Sequence, residues 1–491
     1  MEHRCNHASH SSTRCITQDI HYRRNVRDYM PNEKKPRATD QKRPSGIEEV
    51  PFRVCNDSQP HYYKKIPQKP KQKVSHMSLL PLLFQGTILT SSIYQNRKRM
   101  IAQIRMDFRT LSIHGRRETL ERKFCIDLST LAINEKHIGH ANERNCEQMF
   151  GHVPIPVGYA GPLSITLSCE EKIEAHLPLA TTEAALIASV NRGCKALREA
   201  GGAQTTSIYH GITRSIALRM QNAECRMQNY EEEISLKKEE WVAVGEATSN
   251  HLKILKYEID THEDLLFLTI YADTDEAMGM NMVTIAAEEI GKWMEKNFNL
   301  ECITVAANVD SDKKPSQRTK EKGRGYEVTA TAVLSEEVVE SVLKTTPKAL
   351  LEVAHAKLKV GSEIAGALGK NCHAANIIAA LYLATGQDAA HVVEGSLAET
   401  QVKIDNGQLK VIVRNPAILV GIRGGGTTLP AQSQALNLLL KSTVSGLQST
   451  QQLAETIGAA VLAGELSLLA AQSSHTLAKS HKFLARSSPL P

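Results

Sequence analysis

The sequence predicts an α+β fold with a large helix-rich core and a smaller α/β module inserted in it. Residues 216–304 alternate charged helical stretches with strand-like runs, Trp241-Val-Ala-Val-Gly and Leu265-Leu-Phe-Leu-Thr-Ile-Tyr. Residues 373–388 are apolar almost all round, which predicts a long helix buried at the centre of the large domain.

The N-terminal segment differs in composition from the rest of the chain. Residues 1–75 carry 16 Lys and Arg against 8 Asp and Glu, so their charge is +8 and the remainder of the +6 chain is −2. They show no hydrophobic periodicity, and we expect a disordered basic extension. The alternatives are a polyanion-binding arm or a true start at Met77 or Met100. The nearly neutral remainder carries no nucleic-acid signature.

Cysteine usage and hydropathy indicate a cytoplasmic protein. The ten cysteines form no CxxC pair and no zinc-like spacing, which favours reduced thiols and predicts no metal site. The longest early apolar run, at residues 79–89, contains a proline and is too short to span a bilayer. A charged helical pattern then predicts a helical N-terminal domain over residues 76–150. We expect a soluble enzyme or binding protein.

Two acids and two lysines lie together in Asp310-Ser-Asp-Lys-Lys-Pro315. The segment follows Ile303-Thr-Val-Ala-Ala-Asn308, an apolar β-branched run that reads as a buried strand. A lysine fixed at the mouth of such a strand can stabilise negative charge developing on a carbonyl oxygen. The alternative is a solvated charged turn.

Two further carboxyl groups are candidates for acid–base work. Thr181 or Thr182 is a plausible N-cap for a helix over residues 184–197, which places Glu183 in its first turn. Glu183 is then either a general acid kept protonated by apolar surroundings or an ordinary acid near a helix N-terminus. Asp388 emerges where Gly386 ends the apolar helix, and a carboxylate there needs a partner.

Three glycine-containing segments predict loops that a ligand can approach closely. Residues 151–163 hold three prolines and three glycines and predict a rigid loop or edge strand. Residues 273–282 place small residues before a helix N-terminus, which can receive a phosphate. Residues 420–430 form a glycine loop opening another helix. No GxGxxG fingerprint accompanies them.

Read together, these segments resemble the 3-hydroxy-3-methylglutaryl-CoA (HMG-CoA) reductase family over about residues 90–487. The motifs that carry the resemblance are Val153-Pro-Ile-Pro-Val-Gly, Pro178-Leu-Ala-Thr-Thr-Glu, Ala277-Met-Gly-Met-Asn-Met, Asp312-Lys-Lys-Pro, His373-Ala-Ala-Asn, Gly386-Gln-Asp-Ala-Ala, Gly424-Gly-Gly-Thr, Leu462-Ala-Gly-Glu-Leu-Ser and Lys479-Ser-His. The chain looks most like the soluble class I type, because it lacks the membrane domain of the animal and fungal enzymes.

The resemblance implies a four-electron reduction of HMG-CoA to mevalonate and coenzyme A by two NADPH. It also implies roles for four residues. Lys313 matches the catalytic lysine, Glu183 the general acid, and Asp388 the buried aspartate that couples to both. His481 matches the histidine that protonates departing coenzyme A; from the sequence alone, a lone histidine near a C-terminus is usually a surface residue.

The resemblance also implies binding residues and an architecture. Substrate-binding positions are Arg214, Asp312, Lys314 and Asn376. Cofactor-binding positions are Ser249, Asn250, Glu276, Met278, Gly279, Met280, Asn281, Gly424 and Gly425. Residues 216–304 would be a small ferredoxin-like NADP-binding domain, and residues 151–215 with 305–487 the large substrate- and CoA-binding domain. The active sites would be shared across a homodimer.

Several supporting positions depart from the family pattern. Glu276 replaces an aspartate, Ala306 a serine, and Asn250 an arginine that meets the NADP 2′-phosphate, so a bidentate contact is lost. Lys253 or Lys256 could compensate. Two alternatives therefore stay open: a weakened relative that binds CoA esters, and an NADH-using enzyme of mevalonate breakdown.

Overall fold

A computed structural model describes residues 108–221, 227–441 and 444–474. The predicted extension over residues 1–75 and the predicted catalytic His481 lie outside the described residues. The strands are β1 Val157–Thr166, β2 Lys172–Ala180, β3 Ala203–Met220, β4 Lys253–His262, β5 Leu265–Asp273, β6 Leu300–Thr304, β7 Gly325–Leu334, β8 Glu399–Asp405 and β9 Gln408–Ile418.

Helices surround these strands. The α-helices are α1 Ile113–Phe124, α2 Ala141–Arg144, α3 Leu186–Glu199, α4 Met227–Leu236, α5 Lys238–Glu246, α6 Met280–Asn297, α7 Gln317–Lys322, α8 Glu336–Val338, α9 Pro347–Ala354, α10 Ser362–Ile364, α11 Ala374–Thr385, α12 Val392–Gly395, α13 Pro430–Leu439 and α14 Ser449–Ser473. Short π-helices cover Val339–Leu343 and His355–Gly361. Short 3₁₀ turns cover Phe108–Thr110, Ser129–Leu131, Glu135–His137, Ala389–His391 and Gly425–Thr428.

One strand, β3, belongs to both parts of the sheet. The main path runs β2-β1-β3-β7-β9-β8. The first half of β3 pairs antiparallel with β7, and its second half pairs with β5 and β6. The partner changes at Gly211, where φ is +84° and an added Cβ would lie 3.1 Å from backbone atoms of Ala272. This position therefore requires glycine.

The strands and helices enclose two hydrophobic cores. The larger core includes residues from β1, β2, β7, α3, α11 and α14. The smaller core includes residues from the second half of β3, β4, β5, α5 and α6, and is joined by Ala417 and Leu419. The prediction of a mixed α/β fold containing a sheet is confirmed.

The 25-residue helix α14 is the most deeply buried element of the larger core. By length and composition it could cross a membrane, but 94% of its apolar window is covered by the rest of the fold. Burial of this kind is typical of a core helix, so α14 is weak evidence for a membrane span. The predicted central helix is shorter than expected: α11 covers only Ala374–Thr385, because Gly386 ends it in a left-handed conformation.

Two buried glutamates fix α14 to the sheet and to α11. Glu455 accepts hydrogen bonds from the Ser168, Thr205 and Ser207 side chains. Glu465 accepts from the backbone N–H groups of Cys372 and His373, at the start of α11. Since a buried carboxylate without partners is costly, these bonds make the helix register specific.

Two strand predictions were wrong. The run from Trp241 to Gly245 lies in α5, because Trp241 and Gly245, four residues apart, are both buried on one helix face. The run from Ile303 to Asn308 is not a buried strand. β6 ends at Thr304, Ile303 is exposed, and Asn308 takes a left-handed conformation in the following loop.

Two predictions about the ligand-facing loops also need correction. Residues 151–156 form an irregular loop as expected, but β1 then lies between β2 and β3 and is not an edge strand. Helix α3 begins at Leu186 after a left-handed Ala185, so no threonine caps it. Glu183 lies before the helix, where its N–H bonds to Thr181 Oγ1.

Close packing of α3 on α14 predicts a severe effect for Gly193→Ala. A Cβ at Gly193 would lie 1.9 Å from the carbonyl oxygen of Ala463. We expect the free energy of unfolding to fall by about 1–3 kcal/mol, measured by urea denaturation. Gly115→Ala is the matched control, since an added Cβ in α1 makes only ordinary contacts. Equal stability of the two variants would contradict this packing.

Candidate active site

A strained turn carries Lys313. Ser311 and Lys313 both have φ of +57°, in the left-handed region that costs a non-glycine residue about 1–2 kcal/mol. The Lys313 N–H donates to Glu394 Oε1 at 2.7 Å. A bond to a buried carboxylate offsets the strain and fixes the direction in which the Lys313 side chain leaves the turn.

The Lys313 ammonium pairs with Asp388. Nζ lies 2.8 Å from Asp388 Oδ2, with the side chains 43% and 32% exposed. Burial alone would raise the pKa of Asp388, but hydrogen bonds from Lys313 and the Ala390 N–H lower it below its usual value. The carboxylate is therefore ionised and half-buried rather than buried. The prediction that a carboxylate at this helix end needs a partner is met by the Lys313 ammonium.

Arg214, on β3, sits between two acids of the turn. Its Nη1 lies 3.3 Å from Asp310 Oδ2 and 3.5 Å from Asp312 Oδ2. Burial raises the pKa of Asp310 despite the opposing charges of Arg324 and Arg214. Burial also acts to raise the pKa of Asp312, but the charges of Arg324 and His391 outweigh it and lower that pKa.

The guanidinium of Arg324 joins the acids of the site. It is 1% exposed and donates to Glu394 Oε1 at 2.7 Å and to Asp312 Oδ1 at 3.0 Å. It also lies 2.9 Å from Met280 Sδ at the start of α6. Arg324 therefore links the lysine turn to the helix that follows the predicted nucleotide motif.

Behind the Lys313–Asp388 pair lies His391, which is fully buried. Its Nδ1 is 3.3 Å from Glu394 Oε1, and its Nε2 is 3.6 Å from Asp388 Oδ2. Asp312, His391 and Glu394 offer atoms within 4.8 Å of one another, a separation that suits a metal ion. Because Arg324 already donates to both acids, we interpret the cluster as an ion-pair network.

The two predicted nucleotide loops meet in the structure. Residues Ala277 and Arg423 form a parallel β-bridge, and the Arg423 side chain pairs with Glu276. A Cβ added at Gly421 would lie 2.4 Å from Met278 N, so glycine allows the two backbones to touch. The predicted cofactor positions at 276–281 and at Gly424 and Gly425 are therefore neighbours.

The start of α6 suits an anionic group. Gly279 caps the helix with φ of +86° and provides no side-chain bond to the N-terminal amides. These amides and the helix dipole favour negative charge.

Hydrogen bonds hold Asp388 beside the glycine loop. The Gln387 side chain bonds to both the N–H and the carbonyl of Gly421, at 2.9 and 3.0 Å. Gly386 packs so tightly against Gly426 that a Cβ would lie 2.3 Å from its carbonyl oxygen. The lysine–aspartate pair and the predicted nucleotide loops therefore adjoin one another.

Comparison with known proteins identifies the family of this chain. The family model described as hydroxymethylglutaryl-coenzyme A reductase matches residues 112–486. The chain belongs to the HMG-CoA reductase family. It is 42% identical over 392 residues to the 3-hydroxy-3-methylglutaryl-coenzyme A reductase of Pyrococcus abyssi, covering 77% of this chain and 93% of the relative.

Other members of the HMG-CoA reductase family are similar over comparable lengths. The reductase of Methanothermobacter thermautotrophicus is 39% identical, over 76% of this chain and 94% of its own. Among solved structures, the NADPH-bound class II reductase of Streptococcus pneumoniae aligns with a TM-score of 0.55 at 18% identity. That alignment covers 74% of this chain and 98% of the pneumococcal chain. At that identity the likeness concerns the fold alone.

The predicted catalytic residues are only partly brought together. Lys313 and Asp388 are in contact. Glu183 is exposed, contrary to the prediction of apolar surroundings, because Ala185 turns the chain before α3 begins. Its carboxyl makes no hydrogen bond to the part of the chain that the structure describes.

The predicted substrate-binding residues occupy different settings. Asp312 and Arg214 are in the ion-pair network. Lys314 is exposed and donates to the Asp312 carbonyl oxygen. Asn376 is half-buried in the first turn of α11.

The predicted contacts to the 2′-phosphate lie in the turn after α5. Ser249 accepts a bond from the His251 N–H, and Asn250 is exposed. Lys256 Nζ lies 4.3 Å from the centre of the Tyr271 ring, where a cation–π contact engages it. Lys253, the first residue of β4, is exposed.

Sequence reasoning missed three residues of the network: Arg324, His391 and Glu394. The glycines flanking Arg324 were a weak signal, since both adopt positive φ around it. His391 and Glu394 follow Asp388 closely, and their three-residue spacing places them on one helix face. Nothing in that local pattern indicates that Glu394 binds the backbone of Lys313.

The lowered pKa of Asp388 predicts a pH-dependent stability. Its folded-state pKa lies below the ordinary value of 3.8, so the pair stabilises the fold above that pH and loses its effect as pH falls through the folded value. The difference in unfolding free energy between the wild type and Asp388→Asn should be greatest near neutrality and shrink below about pH 4.

Urea denaturation at several pH values measures that difference. Asp405→Asn, at an exposed strand end, is the control. A difference for Asp388→Asn that stays constant down to pH 2 would show that the ion pair adds no stability.

Proposed function

We propose that this protein reduces HMG-CoA to mevalonate and coenzyme A with two NADPH, as an NADPH-dependent oxidoreductase of the mevalonate pathway. Family membership over residues 112–486 supports the reaction. The observation that carries it is the position of the Lys313 ammonium, 2.8 Å from the ionised carboxylate of Asp388, with both side chains partly exposed to solvent. An ammonium fixed in this way suits a reaction in which a carbonyl oxygen gains negative charge.

In this proposal Lys313 stabilises the oxyanion of each reduction step. Asp388 keeps the ammonium in place, so little reorganisation is needed as charge develops. Arg214 and Lys314 hold the substrate carboxylate beside Asp312, and Asn376 lies near the reacting carbonyl. For Arg214 to do so, the carboxylate must share the guanidinium with Asp310, whose raised pKa favours such sharing.

Glu183 acts as general acid and His481 protonates the departing thiolate in the proposed reaction. We propose that a homodimer completes this site. Exposed apolar residues beside Glu183 support an interface: Val153, 76% exposed, with Val157 and Tyr159. The Thr181 N–H bonds to the Pro156 carbonyl, which ties the Glu183 loop to that surface. A partner chain there would supply the apolar cover that Glu183 lacks.

NADPH supplies the hydride, and the residues at the meeting loops fit its binding. The uncapped start of α6, with Gly279, Met280 and Asn281, suits a phosphate. Glu276, Met278, Gly424 and Gly425 line the adjoining backbone, and Ser249 and Asn250 lie in the neighbouring turn. NADH remains a second cofactor candidate, because Asn250 carries no charge to meet a 2′-phosphate.

We further propose the soluble class I type and a cytoplasmic location. Support for the class comes from the Gly424-Gly-Gly-Thr motif and from the contrast between 42% identity to an archaeal relative and 18% to a class II structure. The order β6-β3-β5-β4 supports a ferredoxin-like, NADP-binding small domain at 216–304. Residues 151–215 and 305–487 would form the large domain, and 76–150 a helical one.

Removing the proposed oxyanion stabiliser should abolish most turnover. Lys313→Ala is expected to lower kcat for HMG-CoA about 10²–10³-fold while HMG-CoA still binds, measured by NADPH oxidation and by calorimetric titration. Lys348→Ala, an exposed lysine of α9, is the control. Wild-type levels of oxidation in the Lys313 variant would remove this role. A folded wild type that binds HMG-CoA but oxidises neither cofactor would favour the weakened relative.

Restoring an arginine in the cofactor turn should sharpen cofactor choice. Asn250→Arg is expected to lower KM for NADPH about tenfold, or about 1.4 kcal/mol, and to leave KM for NADH unchanged. Asn250→Gln changes size without adding charge and is the control. Equal changes for both cofactors would place the 2′-phosphate elsewhere.

A further inference from the structure

His391 is a buried histidine with one nitrogen that lacks a hydrogen bond. Nδ1 faces Glu394 Oε1 at 3.3 Å, where Nδ1–H donates to the carboxylate. Nε2 is buried and makes no hydrogen bond within the described part of the chain. It points at two acceptors, Asp388 Oδ2 at 3.6 Å and Asp312 Oδ1 at 3.9 Å. A lone pair there would face negative charge, whereas an N–H would be attracted to both oxygens.

Both nitrogens of the His391 ring face carboxylate oxygens. Three carboxylates face it, from Asp312, Asp388 and Glu394. Three cations face the same acids: the Lys313 ammonium, the Arg324 guanidinium and the guanidinium of Arg214, which also contacts Asp310. The ring therefore lies inside a network of paired acids, to which its nitrogens can contribute only as hydrogen-bond donors.

The remaining neighbour that titrates is Tyr382 of α11. Its hydroxyl is buried without a hydrogen bond to the described residues. Burial and the negative charges of Glu394 and Asp388 raise the pKa of this phenol, so it stays neutral.

We propose that His391, fixed by Glu394, is a positioning residue that donates Nε2–H toward Asp388 and holds this carboxylate in line with the Lys313 ammonium. Glu394 serves both ends of the arrangement, because the same oxygen accepts from the Lys313 N–H and from His391. The imidazole and the lysine turn are therefore oriented by one buried atom. The inference rests on the proposed reductase function for its kinetic readout.

The kinetic test compares three histidine variants. His391→Leu removes the donor and His391→Gln keeps one. His140→Gln is the matched control, because His140 also pairs through Nδ1 with a glutamate three residues on, but on the exposed surface. We expect His391→Leu to lower kcat about 10- to 100-fold with KM for HMG-CoA within about twofold. His391→Gln should recover most of kcat, because its amide N–H can donate toward Asp388 in place of the imidazole.

A second measurement needs no turnover. A double-mutant cycle of His391→Leu and Asp388→Asn, followed by urea denaturation, should give non-additive changes in unfolding free energy. Additive changes, or a His391→Leu variant with wild-type kcat, would overturn the proposal. So would equal losses of kcat in His391→Leu and His391→Gln. If the wild type lacks reductase activity, the proposed function fails, and the cycle alone decides the role of His391.

Discussion

The buried carboxylate of Glu394 is the contact on which the site depends. One of its oxygens accepts from Arg324, from the Lys313 N–H and from His391. An ionised group in a core is stable only when such partners surround it. These partners come from three separate stretches of chain, so the carboxylate gathers β7, the lysine turn and α12 around a single point. The strained backbone of Lys313 persists because several hydrogen bonds to Glu394 hold the surrounding residues in place.

The same network connects the two hydrophobic cores. Arg324 extends from the beginning of β7, beside the larger core, to Met280 at the start of a helix in the smaller core. Arg214 lies on β3 where that strand has already joined the smaller core, and it pairs with the turn that carries Lys313. The charged groups that orient the lysine are thus held from both sides. The reaction proposed at Lys313 and Asp388 therefore depends on the packing of both hydrophobic cores.

The sequence allowed the lysine turn, Asp388 and the glycine loops to be predicted, because each has a local signature of charge, glycine or helix end. The exposure of Glu183 could not be predicted, since apolar neighbours in sequence do not reveal which side of a loop faces solvent. A strand was wrongly predicted for the run from Trp241 to Gly245, because Val-Ala-Val favours strands. The segment is helical, since Trp241 and Gly245, four residues apart, are both buried on one face. The role of Glu394 could not be predicted, because two of its three partners, Arg324 and Lys313, lie 70 and 81 residues away in sequence.

The continuous strand β3 restricts how this fold can change over evolution. Its two halves keep independent alternations of inward and outward side chains, one against β7 and the other against β5. A single-residue insertion or deletion would invert one alternation and expose half of a core. Gly211 allows β3 to change its pairing partner, but it cannot compensate for an inserted or deleted residue. Changes of length are therefore far easier to accommodate in the surface loops than in this strand.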